Sequence, residues 1–215
     1  MLKAIIFDFD GVICESVEAK KEAFQKLFED EPRHVEKIVE FHMTNGGMSR
    51  YEKFKIIYRD FLQKKLTEEK SLQLGQRFTE YSYDSVVNSV FVKGAYEFLD
   101  KYYKKLSLFI VSGTPQDEMI SIVKKRKLEK FFKAIYGSPA TKAALIKAIL
   151  DKNKIAPDQV VFVGDSINDY TGALETGIRF IGRIHSRYPS PFESVHLEAE
   201  IRDLTELDTW VKKQI

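Results

Sequence analysis

The chain has 215 residues, enough for one sizeable domain or for a core carrying a smaller insertion, and its 44% hydrophobic share is ordinary for a globular protein. Lys and Arg total 34 against 32 Asp and Glu, a formal net charge of +2, so composition gives no electrostatic case for nucleic acid, where a clustered basic face is expected. No apolar run approaches a membrane-spanning length, the first residues lack the apolar stretch of a cleavable leader, and a single cysteine, Cys14, excludes an intramolecular disulfide; the profile predicts a soluble cytoplasmic protein, monomer or homodimer.

Taken in chain order, the first element is a short apolar run, Ala4-Ile5-Ile6-Phe7, too short for a helix and rich in strand formers. From about Glu15 to Asn88 no strand pattern appears. Apolar residues recur there at helical spacing, as in Phe24, Leu27 and Phe28, then Phe54, Ile57, Tyr58, Phe61 and Leu62. Within this stretch the paired glycines of Thr44-Asn45-Gly46-Gly47-Met48 mark a turn, and Ser49 is placed to cap the next helix. The sheet pattern resumes near Lys93. Leu108-Phe109-Ile110-Val111 is the next strand, and Pro115 opens a helix running to about Lys127. Ala134 to Tyr136 predicts another strand, Thr141 to Asn153 a helix, Val160-Val161-Phe162-Val163 a strand and Ile178 to Ile181 a further one. A last helix carries Trp210 onto the core.

Alternating strands and helices of this kind predict an α/β fold, a doubly wound, Rossmann-like parallel sheet with an inserted helical domain. The expected boundaries are residues 1–14 and 89–215 for the core and 15–88 for the insertion. In such sheets the ligand crevice lies beyond the carboxyl ends of the strands. The residues just beyond each apolar run are therefore informative: Asp8-Phe9-Asp10-Gly11 after the first, Ser112-Gly113-Thr114 after the second, and Gly164-Asp165-Ser166-Ile167-Asn168-Asp169 after the third long one. Asp8 and Asp10 share one side of an extended chain. Carboxylates so crowded repel one another unless a cation intervenes, and a set of oxygen ligands suits Mg²⁺.

These residues resemble the haloacid dehalogenase-like superfamily, in its phosphatase branch with a helical cap after the first strand. The match consists of Asp8-Phe9-Asp10-Gly11-Val12 as the DxDG loop, Ser112-Gly113-Thr114 at a strand end, Lys142 near a helix start, and Gly164 to Asp169 as the GDxxxD motif. The resemblance implies that Asp8 is a nucleophile forming an aspartyl-phosphate and that Asp10 is the general acid and base. It further implies that Gly11, Ser112, Gly113 and Thr114 surround the phosphoryl group and that Lys142 offsets charge. Mg²⁺ would sit between Asp8, the main-chain carbonyl of Asp10, and Asp165, with Asp169 orienting Lys142 or a water on the metal. Lys142 is followed by Ala143, where the family commonly shows proline, and Lys147 and Lys152 are its rivals.

Gly47-Met48-Ser49-Arg50 looks like the substrate loop of β-phosphoglucomutase-like caps, so Arg50, Asn45 and Lys53 become candidate contacts to the substrate; an ordinary turn beside a wetted basic face is the plain alternative. The expected activity is hydrolysis of a small phosphorylated metabolite, such as a sugar phosphate or a phosphoglycolate-like acid. A phosphosugar mutase is the enzymatic alternative, although such relatives usually carry an acid where this chain has Gly164, and a silent phospho-ligand binder is a third reading. Asp10 argues against a dehalogenase. His34, His42, His185 and His196 form no metal-ligand spacing, Cys14 reads as packing, and Lys124 to Lys127 reads as cations at a helix end.

Overall fold

The computed structural model describes residues 1–215. Six strands form one parallel sheet in the order β3-β2-β1-β4-β5-β6. They are β1 (Ala4–Phe7), β2 (Ser107–Pro115), β3 (Ala134–Ser138), β4 (Val160–Gly164), β5 (Arg179–Arg183) and β6 (Ala199–Ile201). The central strand β1 pairs Ala4 with Ser107 and Phe7 with Ile110 on one side, and Ala4 with Val160 and Phe7 with Val163 on the other. All four of its residues are buried, as helices on both faces require. Alternation still decides which face each one meets. Ile5 and Phe7 join a cluster built with α5 (Ala95–Tyr102), α6 (Gln116–Lys125) and α9 (Leu204–Val211), whereas Ala4 and Ile6 join α7 (Lys142–Asn153) and α8 (Ile167–Thr176).

The residues between β1 and β2 that showed helical spacing do form helices. These are α1 (Val17–Leu27), α2 (Val35–Thr44), α3 (Arg50–Ile56), which runs on into a π-helical turn at Ile57–Phe61, and α4 (Glu68–Asn88). They close over a cluster of their own that contains Phe24, Leu27, Phe28, Phe54, Ile57, Leu62 and Phe78. Arg126 ties this unit to the core: its guanidinium donates to the carbonyls of Val87 at 2.5 Å, Ser89 at 2.8 Å and Val86 at 3.2 Å, where α4 runs out of intrahelical donors.

Three local expectations differ from the structure. The helix after Pro115 stops at Lys125, because Lys127 takes a left-handed φ of 58° and turns the chain away. Ser49 occupies the N-cap position of α3, but its hydroxyl makes no capping bond. Strand β6 has no counterpart in the sequence pattern; it is a three-residue edge strand whose middle residue, Glu200, is exposed, so it lacks the apolar run that marks the other strands.

Candidate active site

Asp8 is delivered by the end of β1. Its amide still belongs to the sheet, donating to the carbonyl of Val163 at 3.0 Å, while its carboxylate accepts the amide of Phe9 at 2.8 Å. The chain then folds on itself: the amides of Ile13 and Cys14 return to the carbonyl of Phe9, and that of Gly11 to Cys14. Gly11 makes this turn with a φ of +72°, and the carboxylate of Asp165 lies where a β-carbon on it would go. Asp10 leaves the loop toward the inserted helices. Ser16 donates to it at 2.6 Å and Lys20, from the first turn of α1, forms an ion pair with it; Lys20 also reaches Thr114 at 2.8 Å. Burial raises the proton affinity of Asp10, but Lys20 and Ser16 outweigh it and hold the carboxyl below the usual carboxylate range.

Thr141 caps α7 by accepting the amide of Ala144, which sets Lys142 at the helix start with its amine 3.2 Å from Asp8 and paired with Asp169. Buried as it is, Lys142 remains a strong cation, since the two acids more than offset the cost of burial. Lys147 and Lys152, the rival lysines, are exposed. Asp169 is fully buried and fully engaged: one oxygen takes Lys142 and the other takes the amide and hydroxyl of Ser166, at 3.1 and 2.6 Å, in a reciprocal cap of α8.

Asp165 differs from its neighbours. Carboxylate oxygens of Asp8, Asp165 and Asp169 lie within 4.8 Å of one another, yet no side chain of the protein donates a hydrogen bond or an ion pair to Asp165. Burial, with Asp8 and Asp169 nearby, pushes its pKa well above the usual range. Burial likewise pushes Asp8 up to about 7, with Lys142 pulling it down and Asp169 and Asp10 adding to the rise. A divalent cation fits this place, because a carboxylate without a partner and a second one crowded by acids need positive charge. Asp169 has no oxygen left to give, and the carboxylate of Asp10 is turned to Lys20. Asp8 and Asp165 remain as hard oxygen donors of this cluster, and the main-chain carbonyl of Asp10 accepts no hydrogen bond in the protein.

Across from them, the ladder between β2 and β3 breaks between Val111 and Pro115, and this irregularity presents Ser112, Gly113 and Thr114 to the same space. The result is a cavity of about 500 Å³ between the sheet edge and the inserted helices, lined by Asp8, Asp10, Ser112, Gly113, Thr114 and Asp165 on the sheet side.

The inserted residues divide differently from the sequence reading. Asn45 does not line the cavity; its amide folds back to the carbonyl of Phe41 at 2.9 Å and to Thr44. Arg50 lines it, but its guanidinium is held by Glu118 of α6 through bonds of 2.6 and 2.9 Å, with Thr79 at 2.7 Å. Lys53 lines it too, fully buried without an acidic partner, its amine 3.1 Å from Nδ1 of His42 and 2.9 Å from the carbonyl of that residue. Burial is the main cause that pushes Lys53 down to about 7. Lys20, Glu118 and Tyr188 escaped the sequence reading, which also gave no role to Ser166 within its motif and set His42 and His185 aside. Of these residues all but Glu118 line the cavity; apart from Ser166, which pairs with Asp169 three residues on, they meet their partners across longer stretches of sequence.

Fold and site together define a phosphatase, a hydrolase of phosphate monoesters. The chain belongs to the haloacid dehalogenase-like hydrolase family, whose model matches residues 5–183. It is similar to a phosphorylated carbohydrates phosphatase of Thermotoga maritima, 25% identical over 201 residues that cover 86% of this chain and 87% of that protein. It is also similar to a phosphoglycolate phosphatase of Mannheimia succiniciproducens, 26% identical over 215 residues, 95% and 96% of the two chains. Among solved structures, a hydrolase from Pseudomonas syringae superposes with a TM-score of 0.80 at 20% identity over 98% of each chain, a likeness of fold. No helix is long and apolar enough to cross a membrane.

Proposed function

We propose that this protein is a Mg²⁺-dependent phosphatase that releases phosphate from a small phosphorylated metabolite through a covalent intermediate on Asp8. The observation that carries this reading is the juxtaposition of Asp8, a buried lysine and the unpartnered Asp165 at one end of a cavity whose opposite rim is Ser112-Gly113-Thr114. A carboxylate oxygen of Asp8 forms a bond to phosphorus while the bond to the leaving oxygen breaks, and that oxygen takes a proton from Asp10. A water then gives its proton to Asp10, attacks phosphorus and breaks the Asp8 ester, which frees inorganic phosphate, restores the Asp8 carboxylate and returns Asp10 to its protonated form.

In the resting site Asp10 is ionised against Lys20; an arriving phosphoryl dianion raises its proton affinity by like-charge repulsion, so that it takes up a proton from solvent and enters the reaction as the acid, and that proton returns to solvent when phosphate leaves. Lys142 stabilises charge on Asp8 and on the moving phosphoryl group, with Asp169 fixing its position. Ser112 and the amide of Gly113 are assigned to phosphoryl oxygens, while the amide of Thr114 donates to the hydroxyl of Ser112 at 3.2 Å. Asp8, Asp165 and the main-chain carbonyl of Asp10 would hold Mg²⁺, which would neutralise the negative charge gathered at the site. The inserted helices serve as a cap over this centre. Lys53 is the cap residue assigned to substrate, and Arg50 is assigned to holding the cap on the core.

Hydrolysis is favoured over a mutase by Gly164, because Asp169 packs so closely there that a β-carbon would lie 2.8 Å from its Oδ2, which leaves no room for an acidic side chain. Phosphate release from p-nitrophenyl phosphate and from a metabolite panel, with and without Mg²⁺ and for wild type and Asp8→Asn, tests the reading. Loss of turnover without the metal and in Asp8→Asn is expected. Turnover that survives both removes the assignment, relocation of phosphate on a hexose phosphate without release indicates the mutase, and no turnover at all the silent binder.

A further inference from the structure

We propose that the alcohol released by this enzyme carries a planar, uncharged aromatic or heteroaromatic ring, so that its substrates are ring-bearing phosphate monoesters rather than small di-anionic acids. The inference rests on the phosphatase reading and narrows it to a substrate class.

Its first ground is size in a closed state. The cap is seated on the core: Asn168 donates to the carbonyl of Gly46 at 2.7 Å, Tyr83 and Ser121 share a hydrogen bond of 2.6 Å, and Arg50 is clamped on Glu118. A cavity of about 500 Å³ nevertheless remains. That lies within the roughly 300–1,000 Å³ of pockets that bury drug-sized ligands, far more than a phosphoryl group with a two-carbon acid fills. Excess space of this kind is not an accident of an open hinge.

Its second ground is the lining. Beyond the phosphoryl end the walls include Met43, Met48, Ile167 and Tyr188, and Phe24 and Phe78 border the cavity from within the cap core, where His42 and Arg50 pack on them. Aromatic faces and thioethers accept flat rings of varied outline, and sulfur makes favourable contacts with ring edges. The third ground is charge. Lys20, Arg50 and His185, cationic or able to become so, are already matched by Asp10, Glu118 and Glu15 of the chain itself. No cation pair waits for a second phosphate or for a carboxylate clamp. Only Lys53 is without an acid, and with burial pushing it down to about 7 it serves as a hydrogen-bond donor to a ring nitrogen or carbonyl more than as a fixed charge. His42, stacked on Phe24 at 3.9 Å between ring centroids and kept neutral by burial, extends the flat surface.

The decisive comparison uses one ester with and without its ring. Uridine 5′-monophosphate and ribose 5-phosphate present the same primary phosphate, and 2-phosphoglycolate represents the small acids. With Mg²⁺ present, kcat/KM for the nucleotide should exceed that for the other two by about tenfold or more, the scale expected from burying a ring-sized apolar surface. Met48→Ala and Tyr188→Ala should each lower the ratio of nucleotide to ribose 5-phosphate. Equal or better hydrolysis of ribose 5-phosphate or phosphoglycolate overturns this inference and leaves the phosphatase reading standing. No phosphate from any of the three, nor from p-nitrophenyl phosphate, overturns the phosphatase reading itself.

Discussion

Gly47 of the cap loop and Gly113 at the end of β2 meet backbone to backbone: a β-carbon on Gly113 would overlap the carbonyl oxygen of Gly47 and come to 3.0 Å from its carbonyl carbon. On its other side Gly47 leaves only 2.7 Å between such a carbon and the hydroxyl of Ser166, and 3.1 Å to the amine of Lys142. The cap loop is thus wedged between two of the strand ends that build the phosphoryl site, and it fits only because both partners lack a side chain.

Gly113→Ala should therefore hold the cap off its seat while leaving the sheet intact. The added methyl meets backbone, which cannot rotate away. We expect kcat/KM to fall by about ten- to a hundredfold, the scale of a misplaced reacting centre, with little change in thermal midpoint. Steady-state kinetics and a melting curve on the same preparation check this. Unimpaired turnover shows that catalysis does not need the seated cap.

Metal dependence has a readout apart from activity. Asp165 crowds Asp8 and, unlike Asp8, which has Lys142, receives no cation from the chain, so Mg²⁺ should raise the melting temperature, adding about 2.7 kcal/mol of stability at a hundred times its dissociation constant. Asp165→Asn should remove that response. It should also make the metal-free protein more stable than wild type, because one of two mutually repelling buried charges is gone. A variant that keeps the full Mg²⁺-induced shift places the ion elsewhere.

The sheet and the chemistry at its edge were legible in the sequence for one reason: β1, β2 and β4 are buried on both faces, so they read as short apolar runs, and the residues just beyond such runs must lie at the crevice. Asp8, Ser112 and Asp165 could be placed at that crevice without coordinates, whereas Lys142 came only through the family resemblance. Partners that face a site from another element could not. Glu118 lies 68 residues from Arg50, and nothing around either residue announces the pair. The spacing of Arg50 and Lys53 suggested a basic face toward substrate, whereas packing gives one to a core glutamate and the other to a histidine read as incidental. Strand β6 was missed because an edge strand with an exposed glutamate has no periodic signal.

The Arg50–Glu118 pair joins cap and core, and both side chains are nearly buried, at 4% and 9% exposure. Cutting one partner strands the other's charge. Glu118→Met and Arg50→Met should each cost about 3–5 kcal/mol, while the double variant that combines them should recover most of the loss. Urea unfolding of the four proteins of this cycle measures the coupling. Additive losses show that the two groups act independently.

Lys53 offers a pH test with a definite sign. Its amine, ordinarily near 10.5, is brought to about 7 in the folded protein, chiefly by burial. Between those two values the unfolded chain keeps a proton that the folded chain has released. Unfolding takes up that proton in this window, so raising the pH favours the folded state. Below about pH 7 both states are protonated and the whole cost of burying the ammonium is present; above about pH 10.5 it has vanished. Lys53→Met carries no titrating group there. The stability of wild type relative to Lys53→Met should therefore increase from about pH 7 to about pH 10, by an amount on the order of a few kcal/mol, other titrations cancelling in the difference. Urea denaturation of both proteins across that range gives the curve. A flat difference means that Lys53 stays fully charged in its cavity, and a falling one that it has found an acid the folded structure does not show.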